Sequence, residues 1–93
     1  MDRPLLGNTL LYRGREGLRT MRAAIVTATV SSLDPLGVSA GHVPPLDDEQ
    51  HVHLWVFTPS ERGGFPEFNV PRGEFADGDI PPGSWCWPAE LYG

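Results

Sequence analysis

The chain of 93 residues has a single cysteine, no lysine and no apolar run long enough to cross a membrane. One cysteine, Cys86, cannot form an internal disulfide, so the sequence indicates neither an oxidising compartment nor a redox pair. The longest stretch of apolar or small residues, 23–30, is far shorter than a membrane-spanning helix, and the first residues lack the hydrophobic segment of a secretory signal. We therefore expect no membrane association and a protein that is soluble in a cell or carried on a particle.

Positive charge is scarce outside the first quarter of the chain. Residues 1–22 hold five arginines against Asp2 and Glu16, a net charge of +3, whereas residues 23–93 hold two arginines against ten acids, a net charge of −8, and together these give −5. Nucleic-acid affinity comes mainly from basic side chains that contact phosphates. The acidic body therefore argues against a nucleic-acid partner.

Glycine and proline are abundant, and they break the chain into short elements. They make up 21 of the 93 residues, 11 glycines and 10 prolines. This composition excludes long helices and favours a loop-rich β domain. Short runs of alternating or β-branched residues between the turn signals predict five strands, at residues 9–13, 21–30, 51–58, 67–70 and 84–87.

Five short strands in one domain, residues 1–93, predict an all-β fold. We expect a small SH3-like, partly open barrel, with a small β-sandwich as the alternative. Residues 1–8 are predicted to form an N-terminal arm. Two long loops, 31–50 and 71–83, join strands; the first is predicted to be ordered with a mobile acidic tip at 47–49, and the second to be exposed.

The last predicted strand carries two tryptophans two residues apart. In an extended strand such residues point to the same side, so Trp85 and Trp87 should share one face while Cys86 points to the other. Tryptophan provides a large contact area, so the pair either seals a small core or anchors a partner.

A small set of arginines and tryptophans forms the candidate partner-binding or ligand-binding site. Guanidinium groups bind oxyanions bidentately, so the arginines near the beginning of the chain could contact phosphate or an acidic partner. The alternative is simple charge balance against the acidic body. The aromatic residues in turn form either a binding patch or the core. The candidate residues are Arg13, Arg15, Arg19, Trp55, Trp85 and Trp87.

Two short motifs suggest chemistry that the rest of the chain does not support. Residues 37–41 match the G-x-S-x-G pattern around Ser39, but a nucleophile elbow needs a strand and a helix in a large α/β sheet. His51 and His53 share a strand face and could present two imidazoles to a metal, but no further ligand spacing supports a site. We expect no catalytic residue, no metal and no cofactor.

Four segments together resemble a known family. They are 9–13 (TLLYR), 22–27 (RAAIVT), 52–57 (VHLWVF) and 82–88 (PGSWCWP). In this order they resemble a family of small proteins of unestablished function that bacteriophages and prophages of actinobacteria commonly encode. Cys86 stands where that family usually has a histidine, and the loop 31–50 has no fixed counterpart. The resemblance implies a phage origin and a compact β fold, and it transfers no catalytic residue.

These observations together predict a non-enzymatic phage protein that acts through protein contacts. It would be a decoration or accessory protein of the capsid, or a factor that contacts a host protein, located in the virion or in the host cytoplasm. The alternatives are an anti-defence protein that binds a small ligand such as a nucleotide, through the arginines and a stacking tryptophan, and a small metal-dependent enzyme.

Overall fold

A computed structural model describes residues 3–15, 21–59 and 62–92. Within these residues the chain forms five strands and two five-residue helices. The strands are β1 (Thr9–Arg13), β2 (Met21–Ala28), β3 (Val52–Phe57), β4 (Gly64–Val70) and β5 (Trp85–Cys86), and the helices are α1 (Pro35–Ser39) and α2 (Pro88–Tyr92). No helix in this part of the chain is both long and apolar enough to span a membrane.

The strands form one antiparallel sheet in the order β4-β3-β2-β1-β5. The first four strands are a meander, and β5 returns to pair with β1 on its free side. The chain that leaves β4 then lies beside β5, because Gly73 N–H donates to the Trp85 carbonyl at 2.8 Å and Trp85 N–H donates to the Pro71 carbonyl at 3.0 Å. These two bonds join the ends of the sheet, so the fold is the predicted partly open barrel and not a sandwich of two sheets.

Alternating side chains of the strands fill the interior of this barrel. In β3 the inward residues Val52, Leu54 and Val56 are buried, and the same alternation supplies the interior residues of the other strands. Trp85 and Trp87 both belong to this interior cluster, and their rings meet edge to face at 5.6 Å. The interior consists of Leu10, Tyr12, Ala24, Val26, Val52, Leu54, Val56, Val70, Trp85 and Trp87.

A second, smaller cluster lies on the outside of β1 and β5. Leu11 and Cys86 point outward from these strands and pack with Ile80 of the loop 71–83. Met21, Phe75 and Leu91 pack against the same cluster. Trp85 and Cys86 therefore point to opposite sides of β5, as the sequence predicts.

The predicted strands agree with the structure at their centres and differ at their ends. β1 has the predicted bounds, and the next two strands are shorter than predicted, at 21–28 and 52–57. β4 begins three residues before the predicted start, so Pro66 lies inside the strand. A proline is tolerated there because β4 is an edge strand whose second side needs no partner.

The first long loop is ordered by its own contacts and contains α1. Asp34 caps this helix by accepting a hydrogen bond from Leu36 N–H at 3.1 Å, and Pro35 occupies the first turn. The predicted acidic tip is also bonded, because Asp47 N–H donates to Asn69 at 3.0 Å and Glu49 pairs with Arg3 at 3.1 Å. The loop is therefore attached to both β4 and the N-terminal segment.

Two further segments pack more closely than the sequence predicts. The loop 71–83 was expected to be exposed, but Ile80 is buried under β1 and Gly73 is buried beside β5, while Glu74 and Asp77 are exposed. Residues 3–8 of the predicted arm lie against the barrel: Pro4 is fully buried, and Gly7 N–H donates to the Val26 carbonyl at 2.9 Å. Burial of Ile80 and Pro4 contributes to this packing, whereas Leu5 and Leu6 of the arm are each 61% exposed.

Candidate binding surfaces

The outer side of β2, β3 and β4 carries uncharged side chains that no described element covers. Ile25 lies directly opposite Trp55, which lies opposite Pro66, so their side chains share one face. Trp55, Phe57 and Phe68 are 37%, 48% and 49% exposed. We call this surface the open face, and it consists of Ala23, Ile25, Trp55, Phe57, Pro66 and Phe68.

Two of the three aromatic rings of the open face rest on other groups of the barrel. A Cβ atom added at Gly64 would lie 2.6 Å from Nε1 and 2.9 Å from Cε2 of Trp55, so the indole covers the bare backbone of this glycine. The ring of Phe68 meets the buried ring of His53 edge to face at 5.2 Å. Rings held in this way lose little conformational entropy when a partner binds.

Of the three tryptophans predicted as candidate binding residues, Trp55 is the one that lies on the surface. Trp85 and Trp87 are buried, and the indole N–H of Trp85 donates to the Gln50 carbonyl at 2.9 Å. Of the two roles considered for this pair, sealing the core is the one that the structure shows. Neither ring is available to stack on a nucleotide base.

The predicted arginines separate to two sides of the barrel. Arg13 is buried on the outer side of β1, where its Nε–H donates to Asp79 at 3.3 Å. Arg15 is exposed and lies two residues after the end of β1, and its Nε–H donates to Glu67 at 2.7 Å. Arg19 lies outside the described residues. The two described arginines therefore balance carboxylates of the acidic body, and they do not form one phosphate-binding cluster.

Glu67 also binds the hydroxyl of Tyr12, whose side chain belongs to the barrel interior. The Tyr12 hydroxyl donates to Glu67 Oε2 at 2.6 Å, and Arg15 binds the same oxygen. Burial, followed by the hydrogen bond and the negative charge of Glu67, raises the pKa of Tyr12 to about 12. Through its hydrogen bond, Glu67 also raises the pKa of Arg15. Two donors from one end of β1 and the residues after it thus share a single carboxylate oxygen of β4, which ties these segments together.

The two strand histidines have different surroundings. His53 is buried: its Nδ1 accepts a hydrogen bond from Asn69 N–H at 3.0 Å, and its Nε2 lies 2.7 Å from the Pro44 carbonyl, which requires the neutral ring with its proton on Nε2. His51 lies at the surface, with Nδ1 2.7 Å from Asp48. Among the described residues, no group of three or more His, Cys, Asp or Glu side chains could hold a metal ion.

The G-x-S-x-G motif lies in α1 and the turn that follows it. Ser39 is the last residue of this five-residue helix and is exposed. The segment before α1 is a loop and not a strand, so Ser39 does not occupy the strand-to-helix turn that exposes a nucleophile in a hydrolase. The motif instead supplies a compact turn, in which Gly41 adopts a positive φ of 78°.

An open cleft of about 560 Å³ lies between the end of the first long loop, the chain that follows β4, and α2. Its walls include the apolar side chains of Pro71 and Phe75 together with several charged groups. This volume is within the range of small-molecule and side-chain pockets. The lining residues are Asp48, Gln50, His51, Pro71, Arg72, Gly73, Glu74, Phe75 and Glu90.

Most charged groups in the cleft already have partners. Asp48 accepts hydrogen bonds from Gln50 N–H at 2.8 Å and from the His51 ring, and these bonds, with the ring bond as the larger cause, lower the pKa of Asp48. Arg72 donates to Glu90 at 2.9 Å, and its guanidinium carbon lies 5.7 Å from the centre of the Trp85 ring. Glu74 is exposed and makes no hydrogen bond or ion pair with the described part of the chain.

The sequence contains partial signals for these surfaces. The alternation in β3 placed Trp55 and Phe57 together, and the apolar residues on both faces of β2 indicated that its outer side is also apolar. Nothing in the sequence indicated the cleft, because Asp48, Arg72 and Glu90 meet only through the closure of the barrel. A comparison with known proteins finds no matching family model, curated protein or solved structure.

Proposed function

We propose that this chain is a non-enzymatic protein-contact module that docks on another protein through its open face. The observation that carries this proposal is the group of three partly exposed aromatic rings, Trp55, Phe57 and Phe68, on an uncharged surface of a protein with a net charge of −5. Aromatic residues are the usual anchors of protein interfaces, and contiguous exposed apolar patches mark interaction sites.

The size of the patch fits the centre of a modest interface. A large aromatic side chain presents roughly 150–250 Å², so the three rings at the stated exposures provide on the order of 300 Å² of accessible area. Such an area serves as the energetic centre of an interface of about 800 Å² on each partner, with a polar rim around it. Pro66 and Ile25 extend the same surface without adding charge.

Charge complementarity favours a partner other than a second copy. Two copies that each carry −5 repel one another, whereas a protein with basic side chains around an apolar centre is attracted. We therefore propose a different protein with a basic rim as the occupant of the open face. The resemblance to actinobacteriophage proteins extends this proposal to a capsid protein or a host protein as the partner, with the virion or the host cytoplasm as the location.

The partner can be identified with a photoreactive phenylalanine analogue at position 57. The matched control carries the same analogue at Leu36, which is 79% exposed on α1 but lies outside the open face. We expect position 57 to cross-link one protein, found by mass spectrometry, that position 36 does not. Quantitative mass spectrometry of purified virions distinguishes the locations, because a decoration protein is present at a fixed ratio to the major capsid protein.

The role of the face is then measured with the purified partner by calorimetry. Phe57→Ser and Phe68→Ser should each weaken binding about tenfold or more, because truncation of an aromatic anchor costs at least about 1.4 kcal/mol. Leu36→Ser should leave the affinity unchanged. Equal effects of all three substitutions, or none from the first two, would refute the assignment of the open face.

A further inference from the structure

We infer that the cleft between the first long loop and α2 is a second recognition site, which receives an arginine side chain of a partner protein. The site is distinct from the open face and does not depend on it. Its features are a cavity of about 560 Å³, an aromatic and a proline wall, and a negative net charge. Each feature selects one property of the ligand.

The net charge of the lining selects a cation. Three carboxylates line the cleft against one guanidinium, which gives −2 with His51 neutral. Asp48 is held by the donors of Gln50 and His51, and Glu90 is held by Arg72, so Glu74 is the carboxylate left for a ligand. An anion would meet the uncompensated charge of Glu74, so the cleft favours a cation over an anion.

The walls select a flat, partly apolar cation. Phe75 and Pro71 line the cleft beside Glu74, so a bound cation can place a planar face on the ring while it pairs with the carboxylate. A guanidinium combines a planar face with a fork of N–H donors, whereas an ammonium is a compact and strongly hydrated charge. The cleft already shows this arrangement once, because Arg72 lies over Trp85 and pairs with Glu90.

The backbone beneath Glu74 is fixed, so the cleft is preformed. The amide of Gly73 is bonded to β5, and a Cβ atom at this position would lie 2.8 Å from the Cβ atom of Ile80. Close packing of the glycine thus holds the segment that carries Glu74 against the barrel. A preformed site binds without the cost of ordering a loop.

The test is an NMR titration with acetyl-Gly-Arg-Gly-amide and two matched peptides in which lysine or citrulline replaces arginine. We expect saturable shifts of the backbone amides of His51, Gly73 and Glu74, with a dissociation constant in the millimolar range, as for a single ion pair with modest packing. The citrulline peptide has the same shape without the charge and should give no saturable shift. The lysine peptide should bind more weakly than the arginine peptide.

Variants of two exposed acids assign the site. Glu74→Gln should weaken binding of the arginine peptide about fivefold, which is the loss expected for an exposed ion pair. Asp77→Asn removes one charge outside the cleft. Asp77 has a positive φ of 57°, which asparagine also adopts, so the backbone should not change. This variant should bind the arginine peptide as tightly as the original chain does. Equal binding of citrulline or lysine, equal effects of the two variants, or shifts centred elsewhere would overturn the inference. None of these results would bear on the open face, which the Phe57 and Phe68 variants test separately.

Discussion

The indole N–H of Trp85 donates to the backbone carbonyl of Gln50 at 2.9 Å, which joins the last strand to a loop 35 residues earlier in the chain. Both groups are inside the protein, where an unpaired polar atom is costly. This bond fixes the end of the first long loop, and therefore one wall of the cleft, to the core of the barrel.

Trp85→Phe should destabilise the fold more than Trp87→Phe. Both substitutions remove similar volume from the interior, but the Nε1 atom of Trp87 has no hydrogen-bond partner among the described residues. The first variant also loses the indole hydrogen bond to the Gln50 carbonyl, so its free energy of unfolding should fall about 1 kcal/mol further. Urea denaturation of the two variants measures the difference, and equal losses would contradict the structural role of this bond.

Tyr12 should make stability fall at high pH. Its pKa rises from the ordinary value of 10.0 to about 12 in the folded chain, so the folded state holds the phenolic proton more tightly. The stabilisation is fully present below pH 10 and is lost as the pH rises from 10 to about 12. We expect an ultraviolet absorbance titration to place the Tyr12 transition near 12, and Tyr12→Phe to reduce the loss of unfolding free energy over that range. If Tyr12→Phe loses as much unfolding free energy over this range as the original chain, the loss belongs to groups other than Tyr12.

Gly73→Ala should destabilise the barrel where its ends meet. The added Cβ atom would overlap the Ser84 side chain and approach Ile80, so we expect a loss of about 1–3 kcal/mol, as for other overpacked sites. The same substitution should cost less in a Ser84→Ala background, because the nearest overlapping atom is the Ser84 hydroxyl oxygen. Thermal denaturation of the original chain, the two single variants and the double variant provides the measurement. Purely additive losses would show that the overlap with Ser84 is unimportant.

Pro66 should protect the exposed edge of β4 from association. It is the third of the seven residues of this edge strand and removes one hydrogen-bond donor from it. Pro66→Val should increase the rate of aggregation on heating, followed by light scattering, with little change in the unfolding midpoint. Pro45→Val, at an exposed loop position, is the matched control and should aggregate like the original chain. Similar rates for all three proteins would mean that another feature protects the edge.

The sequence predicts the central strands better than the strand ends and the short helix α1. β1 and β3 could be read from alternation between turn signals, because one face of each is buried. The start of β4 was missed because Pro66 resembled a boundary, and only the order of the strands shows that it lies on an edge. α1 had the signals Asp34 and Pro35, but its five residues include Gly37 and carry no periodic apolar pattern.

The ionic contacts show why the surroundings of the candidate arginines are harder to predict than the strands. Arg13 pairs with a residue 66 positions away and Arg15 with one 52 positions away. No local pattern specifies such partners, since they depend on how the barrel closes. The sequence therefore identifies Arg13 and Arg15 as charged residues, while only the structure shows that Asp79 and Glu67 pair with them.

The position of β5 between β1 and residues 71–73 has a consequence for synthesis of the protein. The ribosome produces β1 to β4 first, and these strands can pair as a meander as soon as they emerge. Without β5 and the residue that follows it, this meander lacks Trp85 and Trp87, two of the ten interior side chains, and one side of the hydrophobic interior stays uncovered. A partly synthesised chain therefore exposes apolar surface that the finished barrel hides.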